Sequence, residues 1–369
     1  MRAVPLARRN LFQDRRRAAL AVGGTAVALV LVLVLNGVFA GTMRQVTAYL
    51  RNLPADLVVS QRGVRTMHMS ASALGPTSVE QVRAVDGVAW AAAIRFTTAT
   101  VRGGSGRQLS YVIGYDTPDG RGGPRDLVSG HVPSRGELVL DKIAADQLGL
   151  ELGDRVEVLG RSFTLSGLSR DGTSLINTTA FIANADFAAI RGPGVSYVLV
   201  GTRPNADARN VAKRIAALVP GTTVQTRDTM ADQEGRIVRD MGTDVMQIMT
   251  AIALAIALAV VTLTLFTATL AKLREYAVVK ALGARQRRLV MTVVAQGLWT
   301  TALALVVAVV LTLAIAAVVG AATPNVRLAI EPATVARVGA AVVVIGVLGA
   351  LVPLHRLARL DPATAFRSS

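Results

Sequence analysis

The chain has 369 residues, 52% of them apolar and only 17% charged, and its mean hydropathy is +0.47. That balance excludes an ordinary soluble protein and points to membrane segments. The formal charge of +16 raises nucleic acid as a partner, while the absence of cysteine excludes disulfides, thiol catalysis and cysteine-based metal sites.

The position of the charge argues against nucleic acid. Residues 1–17, 272–288 and 355–369 hold 15 of the 40 basic residues against three acids, Asp14, Glu275 and Asp361. Residues 41–244 hold 23 basic and 20 acidic residues and are close to balanced. The excess therefore sits in short segments flanking apolar runs, as the positive-inside pattern predicts.

In chain order, residues 1–17 form a basic cytoplasmic segment, expected to be amphipathic, and residues 18–40 a first transmembrane helix with the centre AVALVLVLVL. The rival is a signal peptide with Arg15-Arg16-Arg17 as its basic region and a cleavage site at Val38-Phe39-Ala40. An apolar stretch of about 23 residues exceeds the roughly 7–15 of such a peptide, which favours a retained span.

Residues 41–244 read as an α/β domain followed by a stalk. Strands are expected at Asp56–Ser60, Tyr111–Gly114 and Arg155–Val158, the last after a turn at Leu152-Gly153-Asp154. Thr77-Ser78-Val79-Glu80 has the form of a capping box opening a helix to about Val85. Asp141 to Leu148 has helical spacing. Ser196–Val200, Asn205–Val219 and Thr222–Thr226 read as a compact β-α-β unit. Asp228 to Asp244 reads as a helix running straight into the second span.

Candidate chemistry in this domain is thin. His68 and His131 are isolated and lack metal-ligand spacing, so both read as surface histidines and no metal site is assigned. The stretches Arg102-Gly103-Gly104-Ser105-Gly106 and Asp119-Gly120-Arg121-Gly122-Gly123 lack a phosphate-binding lysine and read as loops. No HExxH or GxSxG occurs, so no catalytic residue is assigned.

Residues 245–271 are long enough to form the second transmembrane helix at 1.5 Å per residue. The charge-free run 289–326 is too long for one straight span. Gly320 and Thr323-Pro324-Asn325 mark its stop, giving a helix at 289–319 and an outer loop at 320–331. The last span occupies residues 332–354, with Arg337 in its first turns able to snorkel outward, and residues 355–369 form a tail. Gly339, Ala340, Gly346 and Gly349 give this span a small-residue face that can pack on another helix, for instance in a dimer. With the basic segments inside, both termini and the 272–288 loop are cytoplasmic. The fold class is thus an α-helical membrane protein with four transmembrane helices in a 1 + 3 order and an α/β extracytoplasmic domain between the first and second.

Within the 272–288 loop, Glu275 and Lys280 sit among apolar Leu273, Ala277, Val278 and Leu282, with Gly283 as a C-terminal stop. This is the pattern of a short amphipathic helix, which physics alone reads as a basic helix on lipid headgroups.

The run Arg274-Glu275, Lys280-Ala281-Leu282-Gly283-Ala284 resembles the coupling-helix signature of MacB/FtsX-type ABC transporter permeases. The N-terminal Leu6-Ala7-Arg8-Arg9-Asn10-Leu11 with Arg15-Arg16-Arg17 is similar to their opening helix. The tail Arg359-Leu360-Asp361-Pro362-Ala363-Thr364-Ala365-Phe366-Arg367 resembles their terminal motif, with Phe366 in place of the common Leu. Ala55-Asp56-Leu57-Val58-Val59, Leu152-Gly153-Asp154 and the 1 + 3 order also look like family features.

The resemblance implies a permease subunit in the cell (inner) membrane that is no enzyme and binds no cofactor. The chain has no Gly-Lys dipeptide and so no Walker A loop. ATP-Mg would be hydrolysed on a separate ABC ATPase, in two copies, against a homodimer of permeases. Arg274, Glu275, Lys280, Ala281, Leu282, Gly283 and Ala284 would contact that ATPase. Closure of the ATPase would act through the second span and its stalk on the outer domain, extruding an amphiphilic cargo by mechanotransmission. Membrane lipid and a membrane-fusion or other extracytoplasmic protein are further expected partners. The alternative within the family is an FtsX-like signalling subunit regulating a cell-wall hydrolase. A membrane-anchored receptor without an ATPase leaves the loop signature unexplained.

Overall fold

A computed structural model describes residues 15–68, 70–104, 106–170, 178–272, 286–323 and 326–358. They divide into two compact units, Met1–Gly41 with Gly242–Thr323 and Arg327–Ser369, and Thr42–Met241 with Pro324–Val326. Helices α1 (Arg15–Asn52) and α6 (Arg227–Ala271) are each unbroken and contribute residues to both units.

The first unit is helical. Besides α1 and α6 it contains α7 (Gln286–Ala322) and α8 (Pro332–Ala358). All four are long and apolar enough to cross a membrane, over Ala18–Asn52, Gly242–Ala271, Leu289–Ala322 and Pro332–Pro353. α1 runs without a break through Val38-Phe39-Ala40, and α7 passes Gly320 to end beside Thr323. α8 likewise continues through Pro353. Arg337 curls back on the start of its own helix, donating to the Ala333 carbonyl (3.4 Å) and the Thr334 hydroxyl (3.1 Å). That is the geometry expected of a snorkelling arginine.

The helices approach closely at small residues, as apolar spans do where no hydrophobic force distinguishes protein from lipid. A Cβ on Gly297 of α7 would stand 2.6 Å from the Gly346 carbonyl oxygen of α8, and one on Gly349 would stand 2.9 Å from Val261 of α6. The Gly346 and Gly349 face of α8 is therefore filled by helices of the same chain and is not free for a dimer. Gly297→Leu is expected to wedge α7 from α8 at a cost of about 2–3 kcal/mol. A lowered thermal midpoint in detergent checks this, and a parental midpoint would show that the pair yields.

The second unit is α/β. In chain order it comprises β1 (Leu57–Gln61), α2 (Ser78–Arg83), β2 (Val88–Gly103), β3 (Gly106–Tyr115), β4 (Leu127–Gly130), β5 (Glu137–Asp141) and α3 (Lys142–Leu148). It continues with β6 (Arg155–Val158), β7 (Arg161–Ser169), β8 (Thr178–Ala183), α4 (Asn184–Arg191), β9 (Tyr197–Thr202), α5 (Ala208–Leu218) and β10 (Thr222–Thr226).

β2 is 16 residues long and serves two sheets. Its first part, from Val88 to Ile94, pairs with β9 in a sheet ordered β10-β1-β9-β2. From Arg95 onward it pairs with β3, and Val101 and Arg102 pair with β6. The sequence β2-β3-β8-β5-β7-β6 then returns to β2, so these strands close into a barrel. Closure removes exposed strand edges, and alternate residues such as Val156, Val158, Phe163 and Leu165 fill the interior. Gly104 holds φ +52 at the β2–β3 turn against the Leu148 carbonyl, where any side chain would collide.

Several expectations change in this unit. The stretch read as a loop from Arg102 to Gly106 is the tip of a hairpin, with Arg102 and Gly103 in β2 and Gly106 in β3. Thr77 makes no side-chain cap, because it already has helical dihedrals and the turn begins at Gly75-Pro76. The β-α-β unit is split, since β1 inserts antiparallel between β9 and β10. His68 is not a surface histidine; its side chain is 7% exposed. His131 is exposed as expected.

Candidate functional site

The loop residues Arg274, Glu275, Lys280, Ala281, Leu282, Gly283 and Ala284 lie outside the described residues. The helix before them ends at Ala271, and Lys272 donates its amide to the Thr269 carbonyl at 3.1 Å. On the far side of the loop α7 begins at Gln286. Among the described residues no cluster of His, Asp or Glu can hold a metal.

The candidate geometry among the described residues is the seat of α6 in the α/β unit. The end of α1 and the start of α6 pack side by side: Leu50, Leu53, Met230 and Ala231 are buried in one cluster with Val58, Ile94 and Tyr197. Gly235 lets Thr47 approach, since a Cβ there would stand 3.4 Å from its methyl group. Arg227 donates to the Leu53 carbonyl at 3.1 Å. Arg51 and Asp232 pair at 2.7 Å, but both are more than half exposed, so the pair contributes under about 1 kcal/mol.

One turn beyond Met230, Glu234 is fully buried. Its Oε2 accepts the Met67 amide at 2.7 Å, and its Oε1 accepts the His68 amide at 3.3 Å. The His68 Nδ1 stands 2.9 Å from Oε1, close enough for an ion pair though not aligned for a hydrogen bond. The imidazole is stacked obliquely on Tyr111 of β3 at 4.3 Å between ring centroids, with its edge toward Phe96 of β2 at 5.8 Å. The Tyr197 hydroxyl lies 3.3–3.4 Å from the carbonyls of Thr66, Met67 and Ser70 and shares its proton among them. Burial, and secondarily the Glu234 charge, push the Tyr197 phenol above its ordinary range, so it remains a donor. Residues 64–68 are not in a strand or helix, and their polar backbone is met instead by Glu234, Tyr197 and Ser60, whose hydroxyl donates to the Val64 carbonyl at 2.8 Å.

No sequence motif marks Glu234. It lies in the charged run Asp228 to Asp244, which reads as a helical stalk. The available signal is its spacing of four from Met230, which places it on the apolar face.

A second recess lies between Tyr49, Leu53, Arg125, Arg170 and Phe181, with a volume of about 40 Å³. That volume is enough for no more than a few waters and is far below the roughly 300–1,000 Å³ of a ligand pocket. Tyr115, close by Phe181, has its phenol pushed up to about 12 by burial.

With this geometry in place, the family model of the MacB-like periplasmic core domain matches residues 18–218, more than half of the chain. That of the FtsX-like permease C-terminal domain matches residues 248–362. The chain belongs to the MacB/FtsX-type permease family. Two ABC transporter permeases of Mycobacterium tuberculosis H37Rv resemble this permease over nearly their whole length. One is 23% identical over 362 residues and the other 25% identical over 361, with 97% of each chain covered in both comparisons. Among solved structures, the periplasmic region of MacB from Actinobacillus actinomycetemcomitans is similar at 12% identity and TM-score 0.39. It covers 50% of this chain and 94% of its own. The extracellular domain of the noncanonical ABC-type transporter YknZ from Gram-positive bacteria is similar at 15% identity and TM-score 0.38, covering 46% and 99%. This permease is thus a multi-pass ABC transporter membrane subunit with a MacB-like core domain between its first and second apolar helices.

Proposed function

We propose that this permease carries movement generated by a separate ABC ATPase to the α/β domain, and that this movement extrudes an amphiphilic cargo. The observation that supports the reading is α6. One unbroken helix of 45 residues begins in the core of the α/β domain at Met230, Ala231 and Glu234, and ends at Ala271 beside the loop that resembles the coupling helix. A continuous helix with a buried head is a contiguous element able to transmit displacement.

In this reading ATP-Mg is bound and hydrolysed on two partner ATPase subunits, and two permeases assemble as a homodimer. The termini and the loop face the cytoplasm of a cell (inner) membrane. Arg274, Glu275, Lys280, Ala281, Leu282, Gly283 and Ala284 contact the ATPase. The α/β domain stands outside, where a membrane-fusion or similar protein completes the path. Affinity purification from native membranes is expected to recover an ABC ATPase with the permease. Recovery without any ABC ATPase sinks the reading, and recovery with a cell-wall hydrolase as the stoichiometric outer partner replaces extrusion by FtsX-like signalling.

A further inference from the structure

We propose that Glu234 is the positioning residue through which α6 hands its movement to the α/β domain, by gripping segment 64–68. The inference rests on the mechanotransmission reading and locates where that transmission enters the domain.

A buried carboxylate does here what packing cannot. Met230 and Ala231 seat α6 by apolar contact, which is non-directional and tolerates sliding. The Arg51–Asp232 pair is solvent-exposed and weakly coupled. Glu234 differs from both. It is fully buried, and its short bond to the Met67 amide is directional. A shift of α6 by one residue turns that side chain through about 100° and moves it about 1.5 Å, which takes the carboxylate out of reach of the amides. An apolar side chain at this position would cost less to bury than a carboxylate. What the carboxylate adds is register.

The grip also leads somewhere. His68, whose amide and ring both face Glu234, lies against Tyr111 of β3 and Phe96 of β2, and both strands belong to the barrel. Through Tyr197 the same segment is tied to β9, and through Ser60 to β1. A pull on α6 thus reaches both sheets of the domain through one carboxylate. Facing that carboxylate are His68, Tyr197 and the two amides.

The absence of cysteine in the chain permits a direct test. Arg65 and Arg236 are exposed on the segment and on α6, and Arg65→Cys with Arg236→Cys accepts a pair of spin labels. In the full permease–ATPase complex in lipid nanodiscs, the inter-label distance is expected to be the same with ATP and with ADP-vanadate, because helix and segment move together. Adding Glu234→Ala should make that distance depend on the nucleotide state, and should speed amide exchange at Met67 and His68 by about tenfold or more. Glu234→Gln retains one acceptor and should show a smaller effect, which keeps the test available where the alanine variant does not fold. Asp232→Ala, which breaks only the exposed pair, should leave the distance unchanged. A distance that stays fixed in both nucleotide states with Glu234→Ala, or with Glu234→Gln where only that variant folds, overturns the proposal. A second pair, Arg236→Cys with Gln286→Cys, reports movement of α6 in the parent. If that pair shows no response to nucleotide, the drive itself is refuted and the handover falls with it, an outcome recognisable because the parent rather than the variant fails.

Discussion

Gly283→Pro is expected to uncouple ATP hydrolysis from the permease while the chain still inserts into the membrane at parental level. The sequence pattern predicts Gly283 just past the end of a short amphipathic helix, where a glycine would take a left-handed conformation and its N–H would close the last turn. Proline has no N–H and holds φ near −65°, so the stop is lost and the end of the helix is redirected, at a cost of about 3 kcal/mol or more. Glu275→Arg would act on the same proposed contact through charge. It removes the acid of the motif and sets a further positive charge beside Arg274 and Lys280. Neither change touches an apolar run, so insertion depends on segments that remain intact. Permease-stimulated ATPase activity in a reconstituted complex should fall by about tenfold, corresponding to about 1.4 kcal/mol of coupling. Full stimulation in both variants would place the ATPase contact elsewhere.

The second large effect is on stability. Glu234→Ala strips the Met67 and His68 amides of their acceptor in a site that water does not reach, and leaves His68 facing a void. Each stranded donor costs about 1–3 kcal/mol, so the total is about 3–5 kcal/mol, as for other broken buried pairs. For a domain of this size the thermal midpoint should fall by about 6–20 °C. Asp232→Ala, two positions earlier on the same helix, should cost under about 0.5 kcal/mol because both partners are solvated. Thermal unfolding of the three proteins in one detergent checks the ratio. Equal midpoints for Glu234→Ala and Asp232→Ala would show that the buried carboxylate does not hold the segment.

Much of the architecture was legible because it is local. Four apolar runs flanked by arginine need no partner to declare themselves, since the bilayer supplies the environment they match. β6 and β10 begin and end at the residues read for them, and α3 begins after Asp141, whose side chain accepts the Ile143 amide at 3.0 Å. The loop motif and the tail motif carried the family resemblance as strings of residues, before any fold was in view.

What the tertiary structure alone decided is long-range. Nothing in Val88–Gly103 announces that one strand joins two sheets, because its partners β9, β3 and β6 come from distant parts of the chain. The small residues of α8 announced a packing face but not its occupant, which is α7 of the same chain at Gly297 and α6 at Val261. His68 and Glu234 stand 166 residues apart and each looks solvated in its own surroundings. The sequence by itself determined the membrane segments, the family and the expected point of ATPase contact, because hydropathy and motifs are properties of neighbouring residues. Folding decided that an acid in a charged stretch is buried against an isolated histidine, because burial is set by what the rest of the chain brings to that place.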